Sequence, residues 1–183
     1  MSKKILKLTI HRGTHEIGGT CVELATESTR ILIDIGLPLV DEEGQSFKLG
    51  NYLDLNKAEL LEKNIAKDIP GLYKEDIDIK PPDAILISHS HPDHYGLIPF
   101  VKPQIPLYLS EGCLELIKAT YYFRGLDPIF KTVEIVEHQK VISIGDFKIT
   151  PYLVDHSGFD AYAFLIEAEG KRVFYSGDFR GHG

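Results

Sequence analysis

The sequence predicts an α/β layered fold in which two β-sheets pack face to face and carry helices on their outer sides. Three observations predict it. Short alternating or fully apolar runs fall into two sets, one in the first 110 residues and one after residue 132. Two segments with helical spacing, 55–66 and 112–124, lie among these strands without alternating regularly with them, which argues against a parallel doubly wound sheet. The opening strands read as a β-meander, and the second half is strand-rich, its strands separated by Gly-containing turns.

Along the chain, Leu6, Leu8 and Ile10 alternate with Lys7, Thr9 and His11, the period of a half-buried strand, and Gly13 turns it. Cys21–Leu24 and Arg30–Asp34 are predicted as two further strands joined by a polar hairpin turn over 26–29. No period survives from Gly36 to Asn56, where Pro38, Gly44 and Gly50 sit among acidic residues, and a long surface loop is expected. Leu60, Leu61 and Ile65 share one side of a predicted helix over 55–66. Pro81-Pro82 breaks the chain before Ala84-Ile85-Leu86-Ile87, a short buried strand. Leu107 to Leu109 gives another, and Ser110 is placed to cap the helix predicted over 112–124. Strands are then expected at 133–136, 140–144, 147–154, 161–167 and 172–175, with turns at Gly145, Gly158 and Gly170.

With 183 residues, 43% of them hydrophobic and 26% charged, the chain can bury one sizeable core and is too short for two ordinary domains. The formal charge of −7 argues against a broad basic surface for sequence-independent nucleic-acid binding. It does not choose the substrate, because bound metal cations would dominate the field inside a site. Cys21 and Cys113 are too few for a disulfide framework and lack a metal-type spacing, so both are expected in the core. The segment Ile5 to Ile10 lacks the apolar length of a secretory signal or membrane span, and a cytoplasmic protein without membrane association is expected.

The sharpest feature follows the buried strand: Ser88-His89-Ser90-His91-Pro92-Asp93-His94. Residues two apart do not share a helix face, so these imidazoles and the carboxylate are expected to converge from a loop. Neutral imidazole and carboxylate together are the ligand set of zinc and similar divalent ions. Crowding them without a metal would leave each unsatisfied group costing about 1–3 kcal/mol. His11, His15 and His138 fall in strand or turn contexts that explain them without a site, and the Tyr121-Tyr122-Phe123 run is expected to pack into the core.

The run His89–His94 resembles the H-x-H-x-D-H signature of the metallo-β-lactamase superfamily. Other signature positions occur in order, each after an apolar strand: Asp34 in Ile33-Asp34-Ile35-Gly36, His156 in Val154-Asp155-His156-Ser157, and Asp178 in Ser176-Gly177-Asp178. The resemblance implies a four-layer αββα sandwich and a dinuclear metal-dependent hydrolase acting through a metal-bound hydroxide. It implies that His89, His91 and His156 hold one divalent ion, that Asp93 and His94 hold a second, and that Asp178 bridges them. Zinc is the foremost ion, with manganese and iron compatible. Asp34 would orient a ligand histidine from behind, and Asp93 and Asp34 are the carboxylates assigned to the catalytic machinery.

Superfamily hydrolases place one further histidine on the second ion, and only five residues follow Asp178 here, with His182 the sole candidate. The opening Arg12-Gly13-Thr14-His15-Glu16-Ile17-Gly18-Gly19-Thr20 and the closing Gly177-Asp178-Phe179-Arg180 resemble the β-CASP, ribonuclease J-like branch of RNA-processing nucleases. In that branch a second domain follows the bridging aspartate, so residues 1–183 are expected to be the N-terminal metallo-β-lactamase-like portion of a longer protein. The implied activity is phosphodiester hydrolysis of nucleic acid, RNA ahead of DNA, in the full-length protein, with homo-oligomerisation left open. Two other readings stand beside it: a small-molecule hydrolase of a thioester, lactone or β-lactam, and a non-catalytic metal-binding scaffold. The redox diiron branch carries a carboxylate where this chain has His91, so His91 favours hydrolysis.

Overall fold

The structure, a computed structural model, describes residues 5–40, 44–47, 52–126 and 132–181. Strands β1 (Lys7–Arg12), β2 (Cys21–Ala25) and β3 (Arg30–Ile33) are antiparallel neighbours. β4 (Ala84–Leu86), β5 (Leu107–Leu109) and β6 (Val133–Ile135) continue the same sheet in parallel, giving six strands in sequence order. β7 (Ile142–Ile144), β8 (Phe147–Leu153), β9 (Tyr162–Ala168) and β10 (Lys171–Tyr175) form a second, antiparallel meander. Among the described residues three α-helices accompany them: α1 (Lys57–Glu62), α2 (Pro92–Tyr95) and α3 (Glu111–Phe123).

The two-residue period of the strands sorts side chains into two cores. Leu24, Ile31, Ile33, Ala84 and Leu86 face Phe147, Ile149, Phe164 and Ile166 of the second sheet. Leu32, Ile85, Leu107 and Leu109 point the other way, onto Leu60, Tyr95, Cys113 and Ile117 of the helices. Each large apolar side chain so buried contributes roughly 1.5–3 kcal/mol. Both cysteines lie in the helix-side core as expected, and burial pushes their thiols upward in pKa. Helices, six-stranded sheet and four-stranded sheet therefore stack as three layers. Among the described residues no helix packs on the outer face of the second sheet, so three of the four αββα layers are built from them.

Local signals set the helix ends. Asn56 and Glu59 form a reciprocal capping box at the start of α1, and Ser110 accepts from the Cys113 N–H as the sequence predicts. The helix expected over 55–66 is shorter than predicted: it ends at Glu62, and Asn64 takes a left-handed backbone (φ 50) that terminates it while Ile65 and Ala66 stay buried beyond. The surface loop expected over 36–56 is partly core, since Leu37 and Tyr52 are buried and a 3₁₀ turn spans Tyr52–Asp54; residues 41–43 and 48–51 of it lie outside the described residues. Of the Tyr121-Tyr122-Phe123 run only Tyr121 enters the core; Tyr122 and Phe123 are 79% and 86% exposed, because consecutive residues at the end of α3 cannot share its inner face. No helix among the described residues is long and apolar enough to cross a membrane.

Candidate metal centre

Four strands deliver the candidate residues to one end of the sandwich. Asp34 follows β3, the Ser88–His94 run follows β4, and β8 and β10 lead to His156 and Asp178. β3 and β4 are parallel, so the segments after them leave on the same side. Asp34 adopts a left-handed backbone (φ 56), a sparsely populated conformation for a residue with a Cβ. Beyond it the chain clamps the histidine run: Ile35 N–H donates to the His94 carbonyl at 2.8 Å, Leu37 N–H to that of Pro92 at 3.0 Å, and Leu97 N–H to that of Ile35 at 3.0 Å. Gly36 approaches so closely that a Cβ there would stand 1.5 Å from the Asp93 carbonyl oxygen. Only glycine fits this position. The run expected to be a loop is in fact partly helical, because Pro92 at the first helical position presets φ for the single turn α2.

Three imidazoles meet in front of this turn. His91 Nδ1 lies 3.0 Å from His89 Nε2 and 3.2 Å from His156 Nε2. Nitrogens bound at about 2.0–2.1 Å to a tetrahedral ion are separated by about 3.3 Å, so these spacings fit the edges of such a site. His89, His94 and Asp178 form an adjoining group whose donor atoms lie within 4.8 Å of one another. His94 Nε2 is 3.6 Å from a carboxylate oxygen of Asp93 and 3.6 Å from one of Asp178, and His156 Nε2 is 4.0 Å from Asp178.

The ring nitrogens of His89, His91 and His94 that face away are engaged from behind. Asp34 is fully buried, and its carboxylate accepts from the Ser88 N–H at 2.8 Å, the Ser88 hydroxyl at 2.7 Å, His94 Nδ1 at 2.7 Å and the Tyr175 hydroxyl at 2.5 Å. With its proton committed to Asp34, the Ser88 hydroxyl receives the Nδ1–H of His89 at 3.0 Å, which leaves His89 Nε2 bare as a donor atom. His91 Nε2 meets the Ser157 hydroxyl at 3.5 Å. Partners of this kind fix tautomer and ring direction, and the donor set fits a divalent cation in both chemistry and spacing.

The electrostatics point the same way. Burial holds His89 down to about 3, helped by the charge of His94, so the ring is neutral at physiological pH. Burial also opposes protonation of His94, but Asp34, Asp178 and Asp93 together outweigh it and push the ring up to about 10. Asp178 is held down to about 2 by its contact with His94, burial opposing and His89 and His156 assisting. The carboxylates around His94 thus favour a positive charge at this spot, which a metal ion would supply in place of a proton.

All seven residues singled out from the sequence, Asp34, His89, His91, Asp93, His94, His156 and Asp178, come together here; His182 lies outside the described residues. The histidines given no role stay away from the cluster: His11 pairs with Glu23 at 3.1 Å, His138 Nδ1 accepts from the Leu153 N–H at 3.0 Å, and His15 is exposed. The opening motif has a structural use, since buried Arg12 donates to the Asn64 and Ile65 carbonyls at 2.7 and 3.0 Å and to Glu16 at 3.2 Å. Sequence reasoning assigned no role to Ser88, Ser157 or Tyr175. Ser88 sat inside the motif and could have been found; Tyr175 reads only as the end of a strand.

A ribonuclease J from Helicobacter pylori is 29% identical over 183 residues, covering 98% of this chain and 24% of that protein, so the chain spans about a quarter of its relative's length. A crystal structure of a protein of unknown function from Enterococcus faecalis superposes with a TM-score of 0.77 at 24% identity, covering 98% of this chain and 44% of the other. The metallo-β-lactamase fold protein YhfI from Bacillus subtilis superposes with a TM-score of 0.56 at 18% identity, covering 94% and 62% respectively. Residues 56–182, more than half of the chain, match the sequence profile of the β-lactamase superfamily domain, and the chain therefore belongs to that family, with a metallo-β-lactamase fold and a ribonuclease J-like sequence.

Proposed function

We propose that this chain carries a dinuclear metal-dependent phosphodiesterase centre that cleaves RNA, as part of a longer ribonuclease J-like protein. The observation that carries this reading is the adjacency of two donor groups, the imidazoles of His89, His91 and His156 and the mixed set of His94 with Asp93 and Asp178. The first group would hold one ion, Asp93 and His94 the second, and Asp178 would reach both. Two divalent ions, zinc foremost by donor type with manganese and iron compatible, would lower the pKa of water between them and polarise a phosphoryl oxygen. Asp34 keeps the proton on His94 Nδ1 and so turns Nε2 toward the cluster. Ser88 does the same for His89.

RNA is preferred as substrate because of the ribonuclease J relative, and a β-CASP domain following the Asp178 segment would supply the nucleic-acid channel. Elemental analysis of the purified chain beside the double variant His89→Ala/His91→Ala tests the centre. About two ions per chain, lost in the variant, support it; no metal in either protein sinks it. Faster hydrolysis of bis(p-nitrophenyl) phosphate than of a thioester or lactone supports the phosphodiesterase assignment, and the reverse order would transfer the site to small-molecule hydrolysis.

A further inference from the structure

The two halves of the centre belong to different sheets. Asp34, Ser88, His89, His91, Asp93 and His94 extend from the six-stranded sheet, whereas His156 and Asp178 extend from the four-stranded one. Apolar contacts between sheets are non-directional and tolerate small slides, so they do not by themselves fix Asp178 against His94 to a fraction of an ångström. A directional link is present. Tyr175, the last residue of β10, packs partly buried against the inter-sheet core and donates its hydroxyl proton to Asp34 Oδ2 at 2.5 Å. The same oxygen receives His94 Nδ1 at 2.7 Å, so one atom joins the second sheet to the ring of a candidate ligand. Asp178 lies three residues beyond Tyr175, and the intervening Gly177 takes a left-handed backbone (φ 55) with its Cα against Ser88, where a Cβ would stand 3.1 Å from the Ser88 Cβ. The Tyr162 N–H to Ser88 carbonyl bond at 2.8 Å ties β9 to the same spot.

We propose that Tyr175 is a positioning residue whose hydroxyl, bonded to Asp34, sets the register of Asp178 against His94 and thereby the affinity of the second metal ion. This rests on the dinuclear reading above. The first ion would be held by His89, His91 and His156, whose rings the Tyr175 hydroxyl does not contact among the described residues; Asp34 reaches His89 only through the intervening Ser88 hydroxyl, whereas it bonds the His94 ring directly. A ligand-orienting partner of this kind changes metal affinity about 10–100-fold when removed.

The test is stepwise titration of the metal-free chain with Co²⁺, followed by its visible absorption, for wild type, Tyr175→Phe and Tyr73→Phe. Tyr73 also donates a buried hydroxyl, to the Lys67 carbonyl, but in the helix-side core, so its variant reports a lost tyrosine hydrogen bond without the link to the site. The expected result is that Tyr175→Phe takes the first ion as wild type does and the second at least tenfold more weakly, while Tyr73→Phe loses thermal stability and keeps both steps. Unchanged second-ion binding in Tyr175→Phe overturns the proposal, and so does equal weakening of both steps, which would make Tyr175 merely structural. A wild-type chain that takes fewer than two ions fails the dinuclear reading itself, and the role of Tyr175 falls with it. Should Tyr175→Phe not fold, the wild type decides alone by NMR: a protected Tyr175 hydroxyl proton that shifts on addition of the second ion supports the role, and one that does not move overturns it.

Discussion

The side of the centre contributed by the six-stranded sheet is locked, whereas the side contributed by the four-stranded sheet is open. His89 and His94 are 0% and 2% exposed and are held by Ser88, Asp34 and the backbone clamp of Ile35 and Leu37. The Asp178 side chain is 51% exposed, and its approach to His94 depends on how the two sheets sit against each other. The difference teaches that a metal site can be half preformed. Donors from parallel strand ends are fixed by backbone hydrogen bonds, while donors from a docked sheet inherit the tolerance of apolar packing.

The largest effect is expected where the locked half is broken. Gly36→Ala would drive a methyl group into the Asp93 carbonyl, and we expect a loss of about 3 kcal/mol in denaturant unfolding together with loss of all bound metal. A variant that retains both would show that the clamp is far softer than its geometry. Next comes Asp34→Asn, which presents an amide N–H to one of the groups that now donate to the carboxylate; stability should fall by about 2 kcal/mol and the second ion should be lost before the first in chelator competition.

A control far from the centre should move stability alone. Asp76 accepts from the Gly71 and Tyr73 N–H groups and from Lys57 at 2.6 Å; burial opposes its ionisation, but these partners outweigh it and hold the carboxyl below its ordinary value of 3.8. A depressed folded pKa gives stability that is fully present above the unfolded value and is lost as pH falls through the folded one. Wild type should therefore lose more stability than Asp76→Asn on acidification below pH 3.8, and at neutral pH the variant should be about 1–2 kcal/mol less stable with unchanged metal content. The smallest stability effect belongs to the open half. Asp178→Asn should cost less stability at neutral pH than Asp76→Asn, because solvent around the half-exposed carboxylate screens its contact with His94, while weakening the second ion; a larger loss than in Asp76→Asn would erase the contrast between the two halves.

Much of this was legible from residue order. The apolar runs of β3 and β4 mark strands because burial on both faces leaves a continuous trace, and the His89–His94 run announces itself because so many metal-type side chains rarely crowd together without a use. β1 is a strand, as its alternation predicts, but Leu8 and Ile10 on its apolar side are exposed rather than buried. Other features left no such trace. Leu37 and Tyr52 reach the core from a segment without period, since irregular backbone buries side chains one at a time. The link from Tyr175 to Asp34 spans 141 positions, and no local rule connects a tyrosine at a strand end to an aspartate so far upstream. Likewise, the turn α2 is too short to show a helical period, and only Pro92 hinted at it.

That separation of 141 positions also has a temporal side. The β1–β2–β3 hairpins and the β7–β10 meander close between near neighbours and need little loop entropy, whereas the bond from Tyr175 to Asp34 waits for the two sheets to dock. On a growing chain, His89, His91 and His94 emerge long before His156 and Asp178, so the proposed metal centre would be completed only after β10 has been made and docked. Metal capture at the proposed centre would then report that the two sheets have met in register.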